Sequence, residues 1–171
     1  MWKAPPPQWI KCNTDGAWRK EHQRSGVGWI SRDSTGKLLW AGVKDFQRVG
    51  SPIEAEAEGI KWAMQSMRSL GYNQVLYETD SQVLARMTAG QEVIWPKLEP
   101  VMQEIEHYLS ENPGYKLGYY PREGNKAAGR VAKEAFSLGN HVPRFYSIMP
   151  IWLVSLCEAD MPIVNMNSMG E

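Results

Sequence analysis

Asp15, Glu56 and Asp80 are the acids that the surrounding chain restrains most. Asp15 comes near the end of Trp9-Ile10-Lys11-Cys12-Asn13-Thr14-Asp15-Gly16-Ala17, where apolar and polar residues alternate as in a strand with one buried face. Gly16 and Ala17 leave room above the chain for a ligand or an ion, although a strand ending in a turn accounts for the same residues. Asp80 closes a short apolar run over 74–80. An acid there either faces a ligand beyond the carboxyl end of a strand or caps the helix that follows. Glu56 lies near the start of a helical run, where it either reaches a site or offsets the helix dipole. Taken singly, each acid is ordinary. If Asp15 and Asp80 sit on neighbouring strands and Glu56 on a helix crossing them, the three converge. Converging carboxylates repel and take up protons unless a cation lies among them. Hard divalent ions prefer oxygen ligands, and two of them about 4 Å apart drive in-line phosphodiester hydrolysis.

The elements that must position these acids follow from periodicity. Residues 1–8 are rich in proline and read as an extended surface segment. Strands are expected over 9–17, 26–32 and 37–45. A polar turn over 19–25 and the hairpin signal Asp33-Ser34-Thr35-Gly36 join them into an antiparallel meander. The period then changes. Ile60, Ala63, Met64 and Met67 recur at helical spacing over 52–70, with Ser51 as N-cap, Pro52 in the first turn and Gly71 as the stop. A strand over 74–80, helices over 81–90 and 95–109, a strand over 115–121 and a helix over 124–138 complete a pattern of parallel pairs with crossovers. Residues 139–171 show no steady period and read as an irregular tail with a short apolar segment that docks on the body.

The totals bound the function. A chain of 171 residues with 43% hydrophobic content supports one domain with tails. Lys plus Arg and Asp plus Glu both number 19, so the formal net charge is zero. That excludes a strongly basic, salt-driven nucleic-acid binder but leaves room for local basic patches. Two cysteines, Cys12 and Cys157, are too few for a disulfide scaffold and lack metal-site spacing, which implies a reduced intracellular compartment, nuclear or cytoplasmic. No signal peptide is visible at the N-terminus, and the run over 151–156 is far too short to span a membrane.

Five motifs in order carry a resemblance. Lys11-Cys12-Asn13-Thr14-Asp15-Gly16-Ala17, Gly26-Val27-Gly28-Trp29-Ile30-Ser31-Arg32-Asp33, Ala55-Glu56-Ala57, Glu78-Thr79-Asp80-Ser81 and Arg122-Glu123-Gly124-Asn125-Lys126-Ala127-Ala128 together resemble the type 1 ribonuclease H domain. More narrowly, they are similar to the versions found in plant non-LTR retroelements and derived proteins. The resemblance covers residues 9–138. It implies an α/β fold with a five-stranded mixed sheet, three antiparallel strands followed by two parallel ones, flanked by helices. It implies metal-dependent cleavage of the RNA strand of an RNA–DNA hybrid, with Asp15, Glu56 and Asp80 as ligands of Mg2+, for which Mn2+ can substitute. No small-molecule cofactor, no membrane and no second copy of the chain are expected.

One position departs from the resemblance. The family pattern Asn-x-x-Ala-Asp reads Asn125-Lys126-Ala127-Ala128-Gly129 here, so a fourth carboxylate is missing. Asn125, through its amide oxygen, and Glu123, from the loop, are the candidates to replace it. Gly129 also costs its helix about 1 kcal/mol relative to alanine. Lys126, Arg130 and Lys133 follow helical spacing, as a solvated face or as a phosphate-binding ridge. Arg122, Asn125, Lys126 and Arg130 are the expected contacts to nucleic acid. Trp95 either anchors its helix or stacks on a nucleotide, whereas Trp18, Trp29, Trp40 and Trp62 are expected in the core or on strand faces. Two functions stay open: a hybrid-cleaving ribonuclease, impaired by Gly129, or a non-catalytic nucleic-acid-binding domain on the same fold. A structural remnant with neither property is the third.

Overall fold

The computed structural model describes residues 1–22, 24–47 and 49–161. Residues 162–171 of the expected tail lie outside the described part.

A single mixed sheet organises the chain. Its strands are β1 (Ile10–Arg19), β2 (Arg24–Arg32), β3 (Leu38–Gln47), β4 (Val75–Thr79), β5 (Tyr115–Tyr119) and β6 (Arg144–Tyr146), in the spatial order β5-β4-β1-β2-β3-β6. β1, β2 and β3 form the antiparallel meander, with Asp15 opposite Gly28. β4 runs parallel to β1 and β5 parallel to β4. The sheet therefore has six strands rather than the five expected. The sixth escapes periodicity because it has only three residues. Its alternation is nonetheless used. Phe145 turns to one face, 6.2 Å from Trp29 and 5.7 Å from Trp62 between ring centroids. Tyr146 sits 5.7 Å from Trp152.

Helices α1 (Pro52–Ser69), α2 (Gln82–Thr88), α3 (Glu99–Glu111), α4 (Lys126–Glu134) and α5 (Ile151–Asp160) complete the fold. Ile60, Ala63, Met64 and Met67 of α1 are fully buried against Trp29 and Tyr77 of the sheet and against Met102 and Ile105 of α3. The end of α1 is a Schellman motif. Gly71, at φ +84°, donates to the Arg68 carbonyl, and Tyr72 donates to that of Met67. On the opposite face, Ala128, Val131 and Ala135 pack with Ile30, Val43 and the α5 residues Leu153 and Cys157.

The two termini differ from the sequence expectation. Trp2 is buried rather than on the surface, with its indole N–H donated to Asn13 and its ring 4.3 Å from the Arg32 guanidinium. The stretch expected to be irregular contains β6 and α5. α5 is docked by a buried ion pair between Arg32 and Asp160 at 2.8 Å. Its sequence, Ile-Trp-Leu-Val-Ser-Leu-Cys, is apolar nearly all round, so it shows no amphipathic period to read. Cys12 and Cys157 are buried free thiols.

A candidate active site where the parallel strands diverge

The pairing of β1 with β4 ends at Asn13 opposite Glu78. Asn13 Nδ2 donates to Glu78 Oε1 at 3.1 Å, and Thr14 Oγ1 donates to the Glu78 carbonyl at 3.2 Å. Beyond this clasp β1 continues while β4 gives way to Asp80, which opens a cleft at the carboxyl end of the parallel strands, a usual ligand position in such sheets.

Glycines bring two helices onto the sheet at this point. A Cβ on Gly16 would lie 2.5 Å from the Ala55 carbonyl carbon, and one on Gly59 would lie 2.8 Å from the Asp15 carbonyl oxygen. α1 thus crosses β1 in backbone contact and delivers Glu56. On the other face, a Cβ on Gly28 would lie 2.4 Å from Ala132 N, so α4 settles directly on β2. Asn125 fastens the start of α4 by donating Nδ2 to the Thr14 carbonyl at 2.9 Å.

Asp15, Glu56 and Asp80 each offer one carboxylate oxygen within 4.8 Å of the others. The local alternatives for two of them are taken up by their neighbours. Ser81, not Asp80, caps α2, its Oγ accepting from Leu84 N at 3.3 Å. Glu54 is the acid of the first turn of α1, held by Ser51 Oγ at 2.7 Å. Asp80 and Glu56 are left to face the cleft. Burial, reinforced by the Asp80 charge, pushes Asp15 up to about 7, against the Gly16 N–H and the charges of Arg122 and Lys133. Burial and the Asp80 and Asp15 charges push Glu56 up to about 8. The cluster is crowded with negative charge that only protons or a cation relieve.

The acids open into a groove of about 640 Å³ whose basic lining comprises Arg19, Arg122, Lys126, Arg130 and Lys133. Arg122 is 85% exposed and its Nε lies 3.8 Å from Asp80 Oδ2. Lys126 is exposed at the start of α4. Arg130 is drawn aside by Glu134 at 2.6 Å and by the Trp152 ring at 4.5 Å. Asn125 is buried and lines the groove, and its Oδ1 is a buried atom without a hydrogen-bond partner among the described residues. Glu123 is exposed and is not among the groove-lining residues. Gly129 faces Asp15, and a Cβ there would sit 3.0 Å from Asp15 Oδ2. Trp95 stands 37% exposed with the Lys97 ammonium 6.0 Å from its ring. Arg19 and Phe136, stacked at 4.0 Å, are groove residues that sequence reasoning missed. Arg19 falls where the first turn was expected, and only the extension of β1 to that residue carries it into the groove.

Comparison with known proteins agrees with this geometry. A protein of Arabidopsis thaliana named "Putative ribonuclease H protein" is 27% identical over 160 residues. The alignment takes in 93% of this chain and 25% of that protein, so the chain spans about a quarter of the relative's length. The crystal structure of RNase H1 from Halobacterium salinarum superposes with a TM-score of 0.69 at 22% identity, covering 75% of this chain and 97% of that one. LC11-RNase H1, solved in complex with an RNA/DNA hybrid, superposes with a TM-score of 0.68 at 24% identity over 75% of this chain and 96% of its own. The sequence profile of the reverse transcriptase-like family matches residues 13–135, a span that includes all three acids. The chain belongs to that family, and its fold is that of the type 1 ribonuclease H domain.

Proposed function

We propose that the chain is a metal-dependent endoribonuclease acting on the RNA strand of RNA–DNA hybrids, with Asp15, Glu56 and Asp80 as its metal ligands and catalytic acids. The observation that carries this reading is the convergence of three carboxylates from β1, α1 and the β4–α2 junction, with ligand oxygens within 4.8 Å, in a groove lined by cations. The donor set is all oxygen and its three acids crowd one another, which suits a hard ion such as Mg2+ or its substitute Mn2+. A bound divalent ion supplies Lewis acidity toward a phosphate oxygen and lowers the pKa of water. The protein's own groups do the remaining work. Asp15, Glu56 and Asp80 are held by strand register and helix crossing, so their geometry is set before ligand arrives. Arg122 and Lys126 face the path of a phosphate backbone, and Arg130 joins them once it leaves Glu134. The two buried free thiols accord with an intracellular setting.

A cleavage assay on a labelled hybrid with Mg2+ or Mn2+ tests the reading. Product is expected from the wild type, with a loss of at least about a hundredfold in Asp80→Asn. Absence of product at high enzyme concentration, with no difference from Asp80→Asn, contradicts it. Gly129 favours one second reading, a hybrid-binding domain without turnover, because the α4 face beside Asp15 carries no fourth carboxylate. On that reading Gly129→Asp creates cleavage where the wild type shows binding alone.

A further inference from the structure

The groove brings three acids and five basic side chains together, and one of the five stands apart. Arg19 lies on Phe136, Arg130 is paired with Glu134, and Arg122 leans on Asp80. Lys126 is at the far end of α4, one residue after Asn125. Lys133 is exposed and forms no salt bridge among the described residues. It lies one helical turn beyond Gly129, on the same helix face. Gly129 is the α4 residue that faces Asp15 Oδ2, and it has no side chain to stand between Lys133 and that carboxylate. Lys133 lines the same groove as Asp15.

The acids are disposed for one cation. One oxygen from each of Asp15, Glu56 and Asp80 falls within 4.8 Å of the others, close enough to share one ion. A second ion about 4 Å away on the α4 side would find no carboxylate on the helix face beside Asp15 to hold it. There α4 offers a bare glycine and an ammonium, and the ammonium repels a divalent ion.

We propose, resting on the reading that this cluster binds a divalent metal, that the site holds one ion and that Lys133 supplies the second positive charge beside Asp15, toward the phosphate of a bound strand. Lys133 is then a charge-balancing residue, not a ligand. Its removal strengthens metal binding, because a repulsion is lost, and weakens hybrid binding, because a phosphate partner is lost. A residue that only supported the fold would not move the two affinities in opposite directions.

The test is a titration of the full chain with Mn2+ alone, following free Mn2+ by electron paramagnetic resonance. It is paired with hybrid binding measured in chelator across a range of salt. The wild type is expected to bind one Mn2+ per chain. Lys133→Gln is expected to bind Mn2+ roughly threefold to tenfold more tightly, Lys133→Arg to behave as wild type, and Asp80→Asn to lose most of the binding. Lys133→Gln should also bind hybrid more weakly, with a salt slope smaller by about one. Two Mn2+ per wild-type chain, or an unchanged Mn2+ affinity in Lys133→Gln, overturns this inference and leaves the metal reading standing. No Mn2+ bound by the wild type overturns both.

Discussion

Asp15 and Glu56 are carboxyl groups pushed up to about 7 and about 8 by burial and by the Asp80 charge, to which Asp15 adds its own at Glu56. Both hold protons more tightly in the folded chain than in the unfolded one. Their favourable contribution is therefore full below about pH 4 and lost as pH rises through 7 and 8. Metal-free protein should lose thermal stability between about pH 5 and pH 9, and Asp15→Asn should flatten that loss, gaining roughly 1–3 kcal/mol over wild type at the alkaline end. Thermal melts in chelator across that range check this. A wild-type melting temperature that rises toward pH 9 would contradict the assigned environments. Added Mg2+ should restore stability at alkaline pH in the wild type but not in Asp15→Asn, because a ligand stabilises only the state that binds it. The sequence showed these acids clearly, as three motifs in order. It left open whether Asp80 and Glu56 served their own helices. Ser81 and Glu54 fill those local roles, and neither substitution of duty can be seen without backbone geometry.

At the scale of elements, the site depends on helices lying closer to the sheet than ordinary side chains allow. Gly16 and Gly59 seat α1 on β1, and Gly26 and Gly28 seat α4 on β2. The neighbours that a Cβ would meet at Gly16 are backbone atoms of Ala55 and Glu56, which cannot turn aside as a side chain would. Gly16→Ala should cost roughly 1–3 kcal/mol and displace Glu56, so that Mn2+ affinity falls as well. Gly118→Ala is the control. No atom lies within 4 Å of its Cβ position, and it should change stability by less than about 1 kcal/mol. Denaturant titration with Mn2+ binding on both variants checks the pair, and equal behaviour would refute the close-packing account. The helices and strands were legible because α1, α3 and α4 carry clean apolar stripes and the meander carries clear turn signals. Two helix ends were less so. Pro96–Leu98 and Ala135–Ser137 are 3-10 turns, each too short for its tighter period to stand out from that of the helix it flanks.

Across the whole molecule, the sheet carries the site at the open end of its parallel strands and a buried polar network behind it. Lys11 pairs with Glu78 at 3.1 Å, Glu78 bonds Asn13, Asn13 accepts from Trp2, and Arg32 pairs with Asp160 of α5. The first residues of the chain and α5 thus close over the strand face that presents Asp15. Of this closure only the docking of an apolar segment from the tail was legible. A tryptophan in a proline-rich segment looks exposed, a three-residue strand has no period, and an all-round apolar helix has no stripe. The partners of Trp2 and Asp160 are more than ten residues away and become visible only in three dimensions. Among the described residues no helix is long and apolar enough to cross a membrane. The most direct test of the account is a crystal of the full chain soaked in Mn2+, with anomalous scattering measured at the manganese edge. A peak bonded to Asp15, Glu56 and Asp80 is the expected result. A fully soaked crystal with no peak among these three carboxylates, or with manganese held only elsewhere, would contradict it.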